Sequence, residues 1–323
     1  LLGYFNPITG GYVTTPFLRL LLRAVNEYER ATDAGKDEQP EPYFVVLDEM
    51  NLARVEHYFS DFLSAMESGE PIALHDVESL QSGEGEVETL AVPKHIEVPP
   101  NLYFVGTVNV DESTYMFSPK VLDRAFTLEL NEVHLRSYGE LPEWSDDLAL
   151  TRWSGRLDPD ATRKPAREDW LSFGSLEGGD LRKHLIALHD MLARQHRHFG
   201  YRVANEVARF VNLAVEQAKD AEQVGWVALD LAILQKVLVK LHGTQAELRE
   251  LLDEIQRFTL VGLSDAGLGS LSAWKPDPDT AELVLAADGE GQEDTSPLFP
   301  RSAKKLWRMR RRLREQGFTA WIE

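Results

Sequence analysis

The chain has 323 residues, with 34 Lys and Arg against 53 Asp and Glu and a formal net charge of −19. With 43% apolar and 27% charged residues it can bury a real core, which excludes a disordered polymer. There is no cysteine, so disulfides, thiolate nucleophiles and cysteine-based zinc sites are excluded, and no apolar run reaches the ~20 residues that cross a bilayer. The opening LLGYFNPITGG has no initiator Met and no basic stretch followed by an apolar one, so no signal peptide is read there. The expectation is a soluble cytoplasmic protein, seen from a point inside a domain.

Residues 14–30 predict a helix, with Thr15 as cap, Pro16 in the first turn and Phe17, Leu20, Leu21, Ala24 and Tyr28 on one face. After a polar loop, YFVVLDEMN (43–51) reads as a strand buried on both faces. Residues 54–70 predict a helix from Val55, Tyr58, Phe59, Phe62, Leu63 and Met66, closed by Gly69. Residues 71–98 read as a hairpin-type insertion around the acidic, Gly-rich QSGEGEVE. NLYFVGTVN (101–109) is a second buried strand, and SPKVLDRAF (118–126) a short helix capped by Ser118 with Pro119 at its first position. Strand, helix and strand in alternation predict a parallel α/β sheet.

From 137 to 180, Pro, Gly, Asp and Trp are frequent and periodicity is poor, so this segment reads as a linker or insertion. Helical patterns follow at 181–199, 203–219, 228–243 and 245–258, then a loop-like 265–300, then a closing helix from Ser302. The expected organisation is thus an α/β core over 1–136, a linker over 137–180 and a helical domain over 181–323.

The charge is uneven. Residues 301–316 carry eight basic side chains and one acid, leaving 26 basic against 52 acidic residues elsewhere, a net of −26. A surface that acidic disfavours wholesale binding to a phosphate backbone, so any DNA contact has to be local or made by other domains.

Ligands of parallel sheets bind beyond the carboxyl ends of the strands. Those ends supply Asp48 and Glu49 from one strand and Thr107 and Asn109 from the other. An Asp that holds a magnesium-bound water and a Glu that polarises an attacking water suit a magnesium nucleotide, and an Asn alongside helps to position that water. An ordinary helix cap at Asp48–Glu49 is the structural alternative.

With these residues in place, the chain resembles the AAA+ NTPases, in the branch of McrB-like restriction NTPases and their MoxR and dynein-type relatives. FVVLDEMN resembles the Walker B strand, NLYFVGTVN the sensor-1 strand, FSPKVLDRAF the arginine-finger helix, GYRVANEVARFV the sensor-2 segment and LQKVLVKLHG a lid helix. The resemblance implies a parallel-sheet AAA+ core, truncated at its N-terminus, followed by a helical lid. It implies Asp48 as the magnesium-side acid and nucleotide ligand, Glu49 as the catalytic acid, Asn109 as sensor 1, Arg124 as the finger and Arg202 as sensor 2. It further implies Mg²⁺ with ATP or GTP, a homo-oligomeric ring, hexameric in the family's pattern, and a McrC-type nuclease partner with DNA reached through other domains or the basic closing helix; no membrane partner is implied. Arg54 reads as a surface residue.

The chain departs from the family in three ways. No GxxxxGK followed by Ser or Thr occurs in it, and the family places that loop ahead of LLGYFNP. The residues after sensor 1 are Asn109-Val110-Asp111-Glu112, which leaves ATP against GTP open, and LDRAF holds a single Arg. The alternatives are a MoxR-like protein remodeller and a non-hydrolysing AAA+ partner subunit. His184, His189, His196 and His198 lack metal-ligand spacing and read as ordinary helix histidines, while Trp153, Trp170 and Phe173 read as residues packed against the α/β core.

Overall fold

The structure is a computed structural model that describes residues 1–34, 40–77, 92–109, 115, 117–130, 164–218, 221–264, 271–276, 283–285 and 296–321. The chain divides into two compact units, Leu1–Arg124 with Leu130–Arg163, and Ala125–Glu129 with Lys164–Glu323. Among the described residues no helix is long and apolar enough to cross a membrane.

The first unit opens with an antiparallel hairpin, β1 (Tyr4–Asn6) and β2 (Gly11–Val13), not anticipated from the sequence. Its turn closes through the Asn6 side chain, which accepts the Ile8 N–H at 3.0 Å, and through Gly10 at φ 67°. Helix α1 (Pro16–Ala34) starts where Thr15 Oγ1 accepts the Leu18 N–H at 3.1 Å, and it buries Leu18, Leu21, Leu22 and Ala24. Strands β3 (Tyr43–Leu47) and β6 (Leu102–Gly106) pair in parallel, from Tyr43 opposite Leu102 to Leu47 opposite Gly106. Buried Asn101 ties this pair to α1, donating through Nδ2 to the carbonyls of Ala24 and Glu41 at 3.1 and 3.0 Å.

The segment expected as one helix over 54–70 is two. Helix α2 (Val55–Tyr58) and helix α3 (Ser60–Ser68) are separated at Phe59, whose φ of −116° leaves the helical range. That break lets the Phe59 ring stack on Phe62 and meet Phe104 edge-on, with centroids 5.1 and 5.0 Å away. Strands β4 (Ile72–Ala73) and β5 (His95–Ile96) pair antiparallel, flanking the acidic segment as the sequence suggested; QSGEGEVE itself lies outside the described residues. Helix α4 (Pro119–Leu122) is shorter than predicted. One face of the β3–β6 pair packs on this core, while Phe44, Val46 and Val105 on the other face are exposed, with Phe44 stacked on Tyr103 at 5.3 Å.

In the second unit, part of the span expected as linker is helical. Helix α5 (Arg167–Phe173) forms because Asp169 accepts the Ala166 N–H at 2.8 Å and Phe173 is fully buried, signals too short to register as periodicity. Helices α6 (Asp180–Ala193), α7 (Tyr201–Gln217) and α8 (Ala221–Ala232) follow. The chain then passes through a π-turn at Ile233–Val237 and a 3₁₀ turn at Leu238–Lys240, so the expected helix over 228–243 changes hydrogen-bond pattern midway. Strand β7 (His242–Thr244) leads into α9 (Gln245–Val261), whose start is a capping box of Thr244 and Glu247. Strands β8 (Trp274–Pro276) and β9 (Leu283–Leu285) form a hairpin inside the expected loop. Helix α10 (Pro300–Gln316) ends at Gly317, and β10 (Phe318–Ala320) pairs antiparallel with β7.

Buried charge is handled in pairs here. Asp169 and Arg209 meet at 3.2 Å with both side chains almost fully buried, joining α5 to α7, and Asn212 donates to the Asp169 carbonyl at 2.9 Å. Removing one partner strands the other charge. Asp169→Ala is therefore expected to lower unfolding free energy by about 3–5 kcal/mol in chemical denaturation. Wild-type stability in that variant would contradict the pairing.

Candidate functional site

The parallel register places the carboxyl ends of β3 and β6 side by side, and the polar residues follow directly. Thr107 Oγ1 accepts the Glu49 N–H at 2.8 Å and donates to Asp48 Oδ1 at 2.5 Å. Asn109 Nδ2 donates to Glu49 Oε1 at 3.2 Å. Asn51, 2% exposed, donates through Nδ2 to the Asn109 carbonyl at 2.8 Å, and the Met50 N–H reaches the Thr107 carbonyl at 3.0 Å. The Tyr58 hydroxyl donates to the Met50 carbonyl at 2.8 Å. Asp48, Glu49, Thr107 and Asn109 themselves are exposed.

Two features set this turn apart from an ordinary helix cap. Glu49 has φ 48° and ψ 45°, a left-handed conformation that costs a non-glycine residue about 1–2 kcal/mol, and it makes no side-chain cap to the 3₁₀ turn Met50–Leu52 that follows. Gly106 leaves room for Met50: a Cβ there would overlap Met50 Sδ. The chain thus spends backbone energy to point Glu49 across the strand ends toward Asn109.

Of the five residues expected in the site, Asp48, Glu49 and Asn109 come together. Arg124 also lies in the first unit, at the end of α4, where it pairs with Glu67 and donates to the Lys120 carbonyl at 2.5 Å. The Glu67 side chain is 54% exposed, so this pair is weak and open to exchange. Helix α4 is moored by Glu56, which accepts the Ser118 N–H at 3.1 Å; hydrogen bonding from Ser118 holds the Glu56 carboxyl below its ordinary range, against an opposing effect of burial. Arg54 lies over the Tyr115 ring at 5.5 Å.

Arg202 belongs to the second unit, in the first turn of α7, with Nε 3.8 Å from Glu206 Oε1. The histidines have structural company. His184 packs edge-on against Trp226 at 5.0 Å, and His189 contacts the rings of His198 and Phe199 at 5.3 and 5.2 Å. His189 and His198 help to line a largely apolar cleft of about 680 Å³ with Trp170, Phe199 and Tyr201. Trp170 and Phe173 were expected to pack on the α/β core; they belong instead to the second unit, where they pack together on α5, and Trp153 lies outside the described residues. On α10, Lys305, Arg310 and Arg311 pair with Glu129, Asp253 and Glu315.

A magnesium ion bound with a nucleotide takes one or two carboxylates from a protein and fills its remaining positions with water and phosphate oxygens. Asp48 fits that requirement. Among the described residues no group of three or more His, Asp or Glu is arranged to hold a bare metal ion. Sequence reasoning did not assign roles to Thr107 as the bridge between the strand ends, to Asn51 or Tyr58 beneath them, or to Glu206 beside Arg202. A hydroxyl at the end of an apolar strand was the available signal for the first.

Residues 164–318, just under half of the chain, match a family described as "Domain of unknown function (DUF8727)". No curated protein matches the chain. No solved structure matches it either.

The left-handed Glu49 generates a prediction. Glu49→Gly relieves the backbone strain, set against the larger conformational entropy of an unfolded glycine. The variant is expected to be as stable as wild type or more stable by up to about 1 kcal/mol in urea denaturation. A loss of stability would show that the Glu49 side chain serves the fold.

Proposed function

We propose that the protein is a nucleoside-triphosphate hydrolase of AAA+ type, acting as the motor subunit of a McrB-like DNA restriction or defence system. The observation that carries the reading is the cluster at the ends of β3 and β6, where the Glu49 carboxylate is hydrogen-bonded to Asn109 beside Asp48. In this role Glu49 accepts a proton from a water aimed at the terminal phosphorus, and Asn109 holds that carboxylate and the water in line. Thr107 holds the Glu49 backbone N–H and the Asp48 carboxylate at once, so the two carboxylates keep separate tasks. Bound magnesium, held through Asp48, supplies the charge that offsets the phosphates.

The fold in hand supports two further parts of the proposal. Parallel sheets bury both faces, and the exposed Phe44, Val46 and Val105 are consistent with further elements covering this one. The proposal assigns to those elements the Gly-rich loop that cradles the phosphates, since no GxxxxGK occurs in these residues. Arg124, released from its exposed partner Glu67, serves a neighbouring subunit's nucleotide in a homo-oligomeric ring. Arg202 serves as sensor 2. The paired cations of α10 favour a lid helix over a DNA-binding one, so contact with DNA and with a nuclease subunit is assigned to other parts of the assembly.

The test uses the native, assembled protein with ATP and with GTP in the presence of Mg²⁺. Glu49→Gln is expected to abolish phosphate release while nucleotide binding persists, and Arg124→Ala to lower turnover by about a thousandfold or more. Normal turnover in Glu49→Gln would overturn the mechanism. Normal turnover in Arg124→Ala would remove the trans-acting finger alone. Stimulation by protein and not by DNA would replace the restriction role with a remodelling one.

A further inference from the structure

The cleft of about 680 Å³ lined from α5, α6 and the start of α7 lies wholly within the second unit, and the proposed nucleotide chemistry does not use it. That volume is the size of a small-molecule site. Its walls are mostly apolar, with aromatic rings from Trp170 on α5, from Phe199 just ahead of α7 and from Tyr201 at the first position of α7. Phe199 is buried, while Tyr201 is 93% exposed and leaves its ring open to a ligand. The walls are held in place beforehand, because the buried Asp169–Arg209 pair ties α5 to α7 and Leu185 of α6 is fully buried.

The polar groups of the cleft favour one sign of charge. No Asp or Glu lines it, in a chain that carries 53 of them. Arg167 does line it, and the Arg182 guanidinium stands 5.9 Å from the centroid of the Trp170 ring. Among the described residues the side chains of Arg167, His198 and Asn205 have no hydrogen-bond or ion-pair partner. His189 has an acid beside it, with Nδ1 3.3 Å from Asp190 Oδ1. The 17-residue helix α7 also begins here, with Gly200, Tyr201 and Ala204 in the lining. Gly200 stands at its N-cap without a side chain to offer, and the Ala204 N–H takes up the first helical bond, on the Gly200 carbonyl at 3.2 Å. The uncapped N–H groups ahead of Ala204 and the helix dipole add to the preference for an anion.

We infer that this cleft binds a small aromatic anion. The flat apolar body lies among Trp170, Phe199 and Tyr201, and the negative group, a carboxylate or a phosphate, is drawn to Arg167 and the first turn of α7. His198 and Asn205 supply further N–H donors. The inference is independent of the nucleotide reading, and Arg202 is not among the lining residues. Gly200 offers the sharpest test. Its φ of −89° suits any residue, and a Cβ there would meet nothing within 4 Å. Gly200→Asp therefore sets a capping carboxylate on the N–H groups that a bound anion would use, with no harm to the helix, since Asp is the better cap.

The experiment is isothermal titration calorimetry of the native, full chain with two matched pairs: cinnamate against its neutral amide, cinnamamide, and AMP against adenosine. At least one anion is expected to bind about tenfold or more tightly than its neutral counterpart. Gly200→Asp and Arg167→Gln are each expected to weaken that anion by about tenfold or more, while Gly200→Asp melts no lower than wild type. Cinnamate as the tighter ligand makes the natural anion a carboxylate; AMP as the tighter one, with the same loss in both variants, makes it a phosphate. Failure of both anions to bind overturns the inference. Equal binding of anion and neutral counterpart does so too, as does anion binding that both variants leave unchanged, which would place the ligand elsewhere on the chain. If Gly200→Asp does not fold, Arg167→Gln on the exposed first turn of α5 decides by the same comparison.

Discussion

The arrangement at the candidate site depends on the parallel pairing of β3 with β6 and on the one hydroxyl that bridges their ends. Thr107 accepts the Glu49 amide and donates to Asp48, so a single side chain satisfies one backbone donor and orients one carboxylate. A slip of one residue in register would turn Thr107 to the opposite face and break both bonds. Above that bridge the left-handed Glu49 turns its carboxylate toward Asn109. Below it Asn51 and Tyr58 hold the descending chain. Strain at Glu49 and support around it are two sides of the same arrangement: the strained conformation persists because its neighbours over-determine it.

The second unit uses a different economy. Its helices carry the apolar periodicity of an ordinary bundle, but charged groups are buried where they join elements. Asp169 with Arg209 fixes α5 to α7. Buried Asp230 accepts the Arg301 and Ser302 N–H groups at the start of α10, at 2.9 and 3.0 Å, with burial raising its pKa. Lys236 with Glu206 belongs to the same set, and its Nζ also donates to the Ala125 carbonyl. Charges of this kind are poor sources of net stability and good sources of geometric specificity.

Apolar runs ending in polar residues made β3, β6 and the cluster at their ends legible from the sequence, because a buried strand and its exposed terminus differ in composition. Thr15 and Pro16 marked the start of α1 for the same local reason. The break at Phe59 was illegible, since the helical spacing of Phe59, Phe62 and Leu63 continues across it and only the packing of Phe104 distinguishes the two halves. Helix α5 was hidden by its brevity and by neighbouring Gly and Pro residues. The two hairpins of three-residue strands carry too few residues for alternation to register. The Glu67 partner of Arg124 is set by tertiary placement, being far from it in sequence, and Lys236 gives no sign in the run AILQKVLVKL of being more than a surface residue on an apolar helix.

The central claim is that the ends of β3 and β6 face the terminal phosphate of a nucleotide. It is tested most directly by an experimental structure of the native protein with Mg²⁺ and a non-hydrolysable triphosphate. The account predicts the terminal phosphate one water molecule away from the Glu49 carboxylate, with Asn109 in contact with that water and Asp48 on the magnesium side. A triphosphate bound elsewhere, with Glu49 and Asn109 still facing only each other, would contradict it.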